Sequence, residues 1–206
     1  MSPSDATQRA RDDLAFMKSL VDGVERNQGT TGKLFVAGGL IYGLETLGHW
    51  LQSTGQIVLS PLGNLALSAG PTVVFLTILT VVLVRERGAS PGGSANRAFQ
   101  AVFSAAGLTN LAMAAVFAPA AIAQHDLRIW LFFPCMVFAL QGGAWFATWT
   151  LRRRGWMLLT ALGYFAFAIA MGASIDKPIY ALLAAVGLLV CMVLPGLVMM
   201  RQAKAA

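Results

Sequence analysis

The chain has 206 residues, of which 57% are hydrophobic and 12% are charged, and its mean hydropathy is +0.67. That composition is too apolar and too poor in charge for a soluble globular domain, so it indicates an integral membrane protein. The net charge of +6 does not indicate a nucleic-acid-binding protein, because the basic residues are dispersed at the ends of apolar runs, where membrane topology places them.

Residues 1–30 predict a cytoplasmic amphipathic helix that ends in a hinge at residues 27–32. Apolar residues recur there at spacings of three and four, and the acidic and basic charges nearly cancel. A helix that binds anionic lipid is normally basic on its polar face. Two interpretations are therefore kept: a helix that lies against the cytoplasmic ends of the bundle, and a docking surface for a cytoplasmic partner protein. The candidate docking residues are Leu14, Met17, Val21 and Val24.

The remainder of the chain, residues 31–201, predicts an all-α bundle of six transmembrane helices. Each apolar run is long enough to cross a hydrocarbon core of about 30 Å. The predicted spans are residues 34–51, 57–84, 98–124, 129–151, 155–175 and 178–200. Five tryptophans near the predicted span ends are interpreted as interfacial anchors; they are Trp50, Trp130, Trp145, Trp149 and Trp156.

The positions of lysine and arginine predict that both termini are cytoplasmic. Of the 15 Lys and Arg residues in the chain, only Arg128 and Lys177 fall on the opposite side of the membrane. Basic residues are enriched in cytoplasmic loops. Two termini on the same side require an even number of spans, which agrees with six. No cleaved signal peptide is expected, since no basic N-terminal region is followed at once by a short apolar core.

One acidic residue, Glu45, lies well inside a predicted span. Tyr42 lies one turn deeper and His49 one turn nearer the outer end, on the same helical face. An ionisable residue within the membrane is costly, so it raises a functional hypothesis. Asn110 and Gln141 lie in the middle of the third and fourth spans, where they are expected to hydrogen-bond across helices. They would complete a ligand or proton site with the first three residues if they faced the same cavity.

Three interpretations of Glu45 stay open. In the first it is structural, and it pairs with Arg128 or Lys177 or hydrogen-bonds its neighbours on the helix. In the second it is a protonatable group on a solute or proton pathway. In the third it belongs to a divalent metal site, because carboxylate and imidazole groups suit zinc or a similar ion. The candidate metal ligands are Glu45, His49, His125, Asp126 and Asp176, all predicted near the outer face.

Glycines in the first span predict close helix packing. Gly39 and Gly43 form a GxxxG pair, which allows two helix backbones to approach each other. The partner is predicted to be another helix of the same bundle, with a homodimer face as the alternative. Cys135 and Cys191 share no CxxC spacing, so neither a zinc site nor a redox dithiol is indicated.

Three short segments resemble those of a family of small, uncharacterised, six-helix bacterial inner-membrane proteins. They are DLAFM at residues 13–17, GKLFVAGG at residues 32–39 and LPGL at residues 194–197. The resemblance implies a bacterial inner membrane and brings no established activity. It makes a signalling or accessory role an expectation by analogy.

The sequence contains no catalytic motif and no nucleotide-binding fingerprint. We therefore expect an integral membrane protein without enzymatic activity that binds a small ligand, a lipid or a partner protein. The first alternative is a small solute or proton-coupled transporter or channel that uses Glu45. The second is a membrane metalloprotein with a site at the outer face. No cofactor other than a divalent metal is suggested.

Overall fold

The computed structural model describes residues 29–85 and 94–205, which are almost entirely helical and contain no strand. The first helix, α1, is already helical at residue 29 and ends at residue 53. A π-helical turn at Leu189–Val193 separates the last two helices. The other helices are α2 (Pro61–Arg85), α3 (Ser94–Gln124), α4 (Leu127–Arg152), α5 (Gly155–Gly172), α6 (Ile179–Leu188) and α7 (Leu194–Ala205). The all-α prediction is confirmed for these residues.

The predicted N-terminal amphipathic helix lies outside the described residues, and so do its candidate docking residues Leu14, Met17, Val21 and Val24. Of the predicted hinge, residues 29–32 are described, and they are helical and continuous with α1.

Two predicted spans extend three or more residues beyond the observed helices. The second span was expected from residue 57, but residues 57–60 have no regular structure and α2 begins at Pro61. Proline suits the first helical position because its missing N–H has no partner there, and the hydroxyl of Ser60 caps the helix by accepting from the N–H of Gly63 at 3.2 Å. The fifth span was expected to reach residue 175, but α5 ends at Gly172 and a turn follows.

Among the described residues, five helical segments are long and apolar enough to cross a membrane. They are Pro61–Arg85, Arg97–Gln124, Leu127–Arg152, Gly155–Gly172 and Ile179–Lys204, the last running through the π-helical turn. This agrees with a multi-pass membrane protein. The first helix, α1, is not among the five, and its apolar run is interrupted by Glu45 and His49. The sixth crossing and the orientation of the termini therefore stay predictions.

The core is centred on Trp145 of α4, which is completely buried. Its ring meets those of Phe35 of α1, Phe103 of α3 and Trp156 of α5 at centroid distances of 5.4, 5.2 and 5.4 Å. The interpretation of Trp145 as an interfacial anchor was therefore wrong. Its position near a span end resembles that of an anchor, but the other helices pack around that end of α4.

The last helix packs closely against α1 through glycines. A methyl group added at Gly39 would come within 2.7 Å of the side chain of Val193, and one added at Gly43 would lie 3.5 Å from Leu189. Both predicted packing glycines thus face the π-helical turn of the same chain. At Gly32, nearer the start of α1, the two backbones themselves come together, with Gly196 opposite.

Helix α2 is attached to the bundle mainly through α1. It has no buried residue and, within the described residues, no extensive contact with α3 to α7. The ring of Phe75 lies against Gly38, Leu67 lies against Gly48, and the amide of Gln52 donates to Asn64. The side of α2 that faces away from α1 is therefore left open.

Candidate functional site

Glu45 and His49 lie together on α1, as their spacing predicts. The Nε2 atom of His49 is 4.0 Å from Oε1 of Glu45, and the side chains are 39% and 16% exposed, respectively. Within the described residues, Glu45 makes no other ion pair. The predicted pairing of Glu45 with Arg128 is not found, because Arg128 pairs with Asp176 instead. The carboxylate of Glu45 is thus largely enclosed, with an imidazole at the limit of ion-pairing distance and beyond hydrogen-bonding distance.

Tyr42 connects this face of α1 to α2. Its ring lies 5.5 Å from that of Phe75, centroid to centroid, and a side-chain hydrogen bond joins Tyr42 to Thr72. Thr46, on the next turn of α1, directs its hydroxyl to the carbonyl of Tyr42 at 2.9 Å. The polar residues of α1 therefore lie beside α2, the helix with the fewest contacts to the bundle.

An aromatic contact fixes how α1, α3 and α4 are aligned. Phe35, Phe103 and Trp145 each contribute one ring, and the centroid distances are 5.3 Å for Phe35–Phe103, 5.4 Å for Phe35–Trp145 and 5.2 Å for Phe103–Trp145. Since helices α1 and α3 run in the same direction and α4 runs against them, this contact gives a common reference level along the three helices.

From that level, Tyr42, Asn110 and Gln141 are displaced toward the same end of the bundle. Tyr42 and Asn110 lie seven residues beyond the aromatic residues of their own helices, which is nearly two turns, so they share the inward faces of α1 and α3. Gln141 precedes Trp145 of α4 by one turn, and the antiparallel course of α4 makes this the same direction. Helix geometry therefore places these three residues within about one turn of each other along the bundle axis, and we call them the polar layer.

Two oxygens of this layer are buried without a hydrogen-bond partner among residues 29–85 and 94–205. They are Oδ1 of Asn110 and Oε1 of Gln141. A buried amide oxygen without a partner costs roughly 1–3 kcal/mol, and most such groups in proteins are paired. The sequence predicted that these residues hydrogen-bond across helices, and for these two oxygens that bond is not found among the described residues.

The indole N–H groups of Trp145 and Trp156 are also buried and have no partner in the described part of the chain. Sequence position suggested interfacial anchors, whose N–H groups would reach water, so the unpaired donors were not foreseen. They lie beside each other in the core and not in the polar layer, with ring centroids 5.4 Å apart.

The remaining candidate ligands lie in the loops at the end of the bundle where α3 joins α4 and α5 joins α6. Asp126 caps α4 by accepting from the N–H of Arg128 at 2.9 Å. The carboxylate of Asp176 forms an ion pair with Nε of Arg128, also at 2.9 Å. His125 adopts a left-handed backbone conformation, with φ at 51°, and is exposed.

The five candidate metal ligands do not form one cluster. In the described parts of the chain, no three His, Cys, Asp or Glu residues lie close enough to hold an ion together. Glu45 and His49 form one pair on α1, while Asp126 and Asp176 are both engaged with Arg128. The metal interpretation stays a prediction without a defined coordination geometry.

No protein-family model, no curated protein and no solved structure matches the chain. Its function therefore has to be inferred from the polar residues and their positions in the bundle.

Proposed function

We propose that this chain is a multi-pass membrane protein without enzymatic activity that binds a small ligand in the polar layer between α1, α2, α3 and α4. The observation that carries the proposal is the pair of unpartnered, buried amide oxygens on Asn110 and Gln141. In a membrane bundle, water is scarce and an unpaired polar group is expensive. A ligand that supplies hydrogen-bond donors at this level removes that cost.

The chemistry of the layer favours a ligand with donors, such as an amine or another protonated base. The unpartnered groups of the layer, among the described residues, are the two amide oxygens. The carboxylate of Glu45, which His49 approaches only to 4.0 Å, lies about one turn further along α1. Tyr42 adds a hydroxyl at the same level. Helix α2, which is attached mainly through α1, leaves a side of the layer through which a ligand can enter from the membrane.

The proposal also includes the localisation of the protein and a way in which ligand binding is signalled. The distribution of Lys and Arg supports both termini in the cytoplasm, and the resemblance of the three short segments supports a bacterial inner membrane. A sensing or accessory role follows if the N-terminal amphipathic segment docks on a cytoplasmic protein through Leu14, Met17, Val21 and Val24. Self-association into a homodimer would have to use a surface other than the Gly39 and Gly43 face, because the last helix covers that face.

Native mass spectrometry tests the ligand site directly. The protein, purified in mild detergent without added metal, is expected to carry one bound small molecule. The double variant Asn110→Leu, Gln141→Leu is expected to lose that mass. Thr109→Val is the matched control, because Thr109 lies beside Asn110 but is exposed and bonds the carbonyl of Ala105. A wild-type protein that is free of ligand, or a mass that persists in the double variant, would contradict the proposal.

A proton-coupled transporter is the second candidate, and the enclosure of Glu45 beside the weakly attached α2 favours it. Glu45→Gln keeps the size of the side chain but cannot carry a proton as a carboxylate does. If the chain is a transporter, the variant is expected to fold normally in proteoliposomes and to lose uptake driven by a pH gradient. Uptake equal to that of the wild type would remove Glu45 from a transport pathway, and loss of folding alone would identify it as structural.

A further inference from the structure

A pocket of about 360 Å³ lies between the two loops at the end of the bundle where α3 joins α4 and α5 joins α6. Four charged residues line it: Asp126 and Asp176 are acidic, and Arg128 and Lys177 are basic. The ion pair between Arg128 and Asp176 measures 2.9 Å, with both side chains more than 60% exposed. Lys177 makes no ion pair within the described residues. The formal charges of the pocket therefore cancel, with both signs open to solvent.

An apolar stripe leads from the pocket into the membrane. Phe132 lines the pocket and follows Arg128 by one turn of α4. Phe132 and Met136, another turn along the same face, are 48% and 49% exposed. Gly143, two further turns on, faces open space. An exposed apolar surface of α4, formed by Phe132 and Met136, thus begins at a site of mixed charge.

We propose that this pocket binds the headgroup of a zwitterionic phospholipid with a primary ammonium group, a phosphatidylethanolamine. Lys177 and Arg128 hold the phosphate, because cations bind phosphate oxygens through charge-assisted hydrogen bonds. Asp126 and Asp176 accept from the ammonium group. The acyl chains follow Phe132 and Met136 along α4.

The arrangement of charges separates this headgroup from those of the other common lipids. A choline headgroup has no N–H to donate to the two carboxylates. A glycerol headgroup is anionic overall and brings no ammonium group to the two carboxylates. A soluble zwitterion satisfies the same charges but gains nothing from the apolar stripe, so the stripe favours the lipid as the source of the phosphate and ammonium groups.

Native mass spectrometry of the full chain with defined lipids tests the proposal. The detergent-solubilised protein is titrated with phosphatidylethanolamine, phosphatidylcholine and phosphatidylglycerol of identical acyl chains, and separately with glycerophosphoethanolamine. Phosphatidylethanolamine is expected to bind about tenfold more tightly than the other two lipids, the difference that one charge-assisted hydrogen bond provides. Equal binding of all three lipids, preference for phosphatidylglycerol, or equally tight binding of the soluble headgroup would overturn it.

Two variants locate the site, and both replace exposed residues, so folding is retained. Lys177→Gln is expected to weaken phosphatidylethanolamine binding about tenfold, and Asp176→Asn to remove the preference over phosphatidylcholine. Arg85→Gln, which removes a basic residue at the opposite end of the bundle, is the control and is expected to change neither. A preference that survives both pocket variants would place lipid selection elsewhere on the protein.

Discussion

Gly32 of α1 and Gly196 of α7 lie opposite each other, and a methyl group added to either would come within 2.7 Å of the carbonyl oxygen of the other. The contact is reciprocal and involves the backbone of both helices. Because a backbone carbonyl cannot move aside as a flexible side chain can, this crossing fixes how far α1 is from the last helix. It thereby fixes the position of Glu45 and Tyr42, which α1 carries toward the polar layer.

Replacing either glycine by alanine is expected to separate the two helices and to destabilise the fold. Gly196→Ala should lower the free energy of unfolding by about 1–3 kcal/mol, as overpacked sites do. Gly107→Ala is the control, because Gly107 of α3 has nothing within 4 Å of an added methyl group, and alanine there is expected to be neutral or stabilising by up to about 1 kcal/mol. Thermal unfolding in detergent measures both, and equal effects of the two variants would contradict the close crossing.

The sequence predicted the helices better than their contacts. Long apolar runs identified the spans because only a helix satisfies its backbone in a membrane. Pro61 and Ser60 indicate the true start of α2. The apolar run begins earlier, at residue 57, and the predicted span followed that run instead. The pairing of Gly32 with Gly196 joins residues far apart in the chain, and no local pattern specifies it. The same holds for Trp145, whose burial depends on three other helices.

Trp145 is expected to contribute more to stability than any exposed aromatic residue of α4. Its ring contacts Phe35, Phe103 and Trp156, and its side chain is completely buried. Trp145→Ala should therefore cost about 3–5 kcal/mol. Phe146, the next residue, is 44% exposed, so Phe146→Ala should cost less than about 1.5 kcal/mol. Unfolding measured in the same detergent compares the two, and a similar loss for both would argue against the aromatic contact as the centre of the core.

The polar layer is expected to show a trade-off between stability and binding. Leucine at position 110 or 141 removes a buried oxygen that lacks a partner, so each variant should raise the stability of the ligand-free protein by about 1 kcal/mol. Ligand binding should fall at the same time. Unfolding of ligand-free protein measures the first effect, and a loss of stability in both leucine variants would show that the amides already hold the helices together.

Candidate residues were easier to find in the sequence than their partners. Glu45, Asn110 and Gln141 stood out because polar groups are rare inside spans, and that signal needs no structure. The pairing of Arg128 with Asp176 could not be foreseen, because it depends on which two loops meet at the end of the bundle. The capping role of Asp126 could have been predicted from the helix that follows it, since aspartate is favoured immediately before a helix.

The π-helical turn at Leu189–Val193 is expected to tolerate the deletion of one residue. A π-helical turn holds one residue more than an α-helical turn, so removing Val190, which is 45% exposed, lets the segment become α-helical without rotating α6 relative to α7. Leu162 of α5 is 54% exposed, but its deletion rotates the following residues by about 100° and moves Tyr164 out of the core. The Val190 deletion variant should therefore fold, and its free energy of unfolding should lie within about 2 kcal/mol of that of the wild type. The Leu162 deletion should not yield folded protein. Yield, gel filtration and thermal unfolding in detergent distinguish the two variants. If neither variant folds, Gly39 requires the π-helical turn itself as its packing partner.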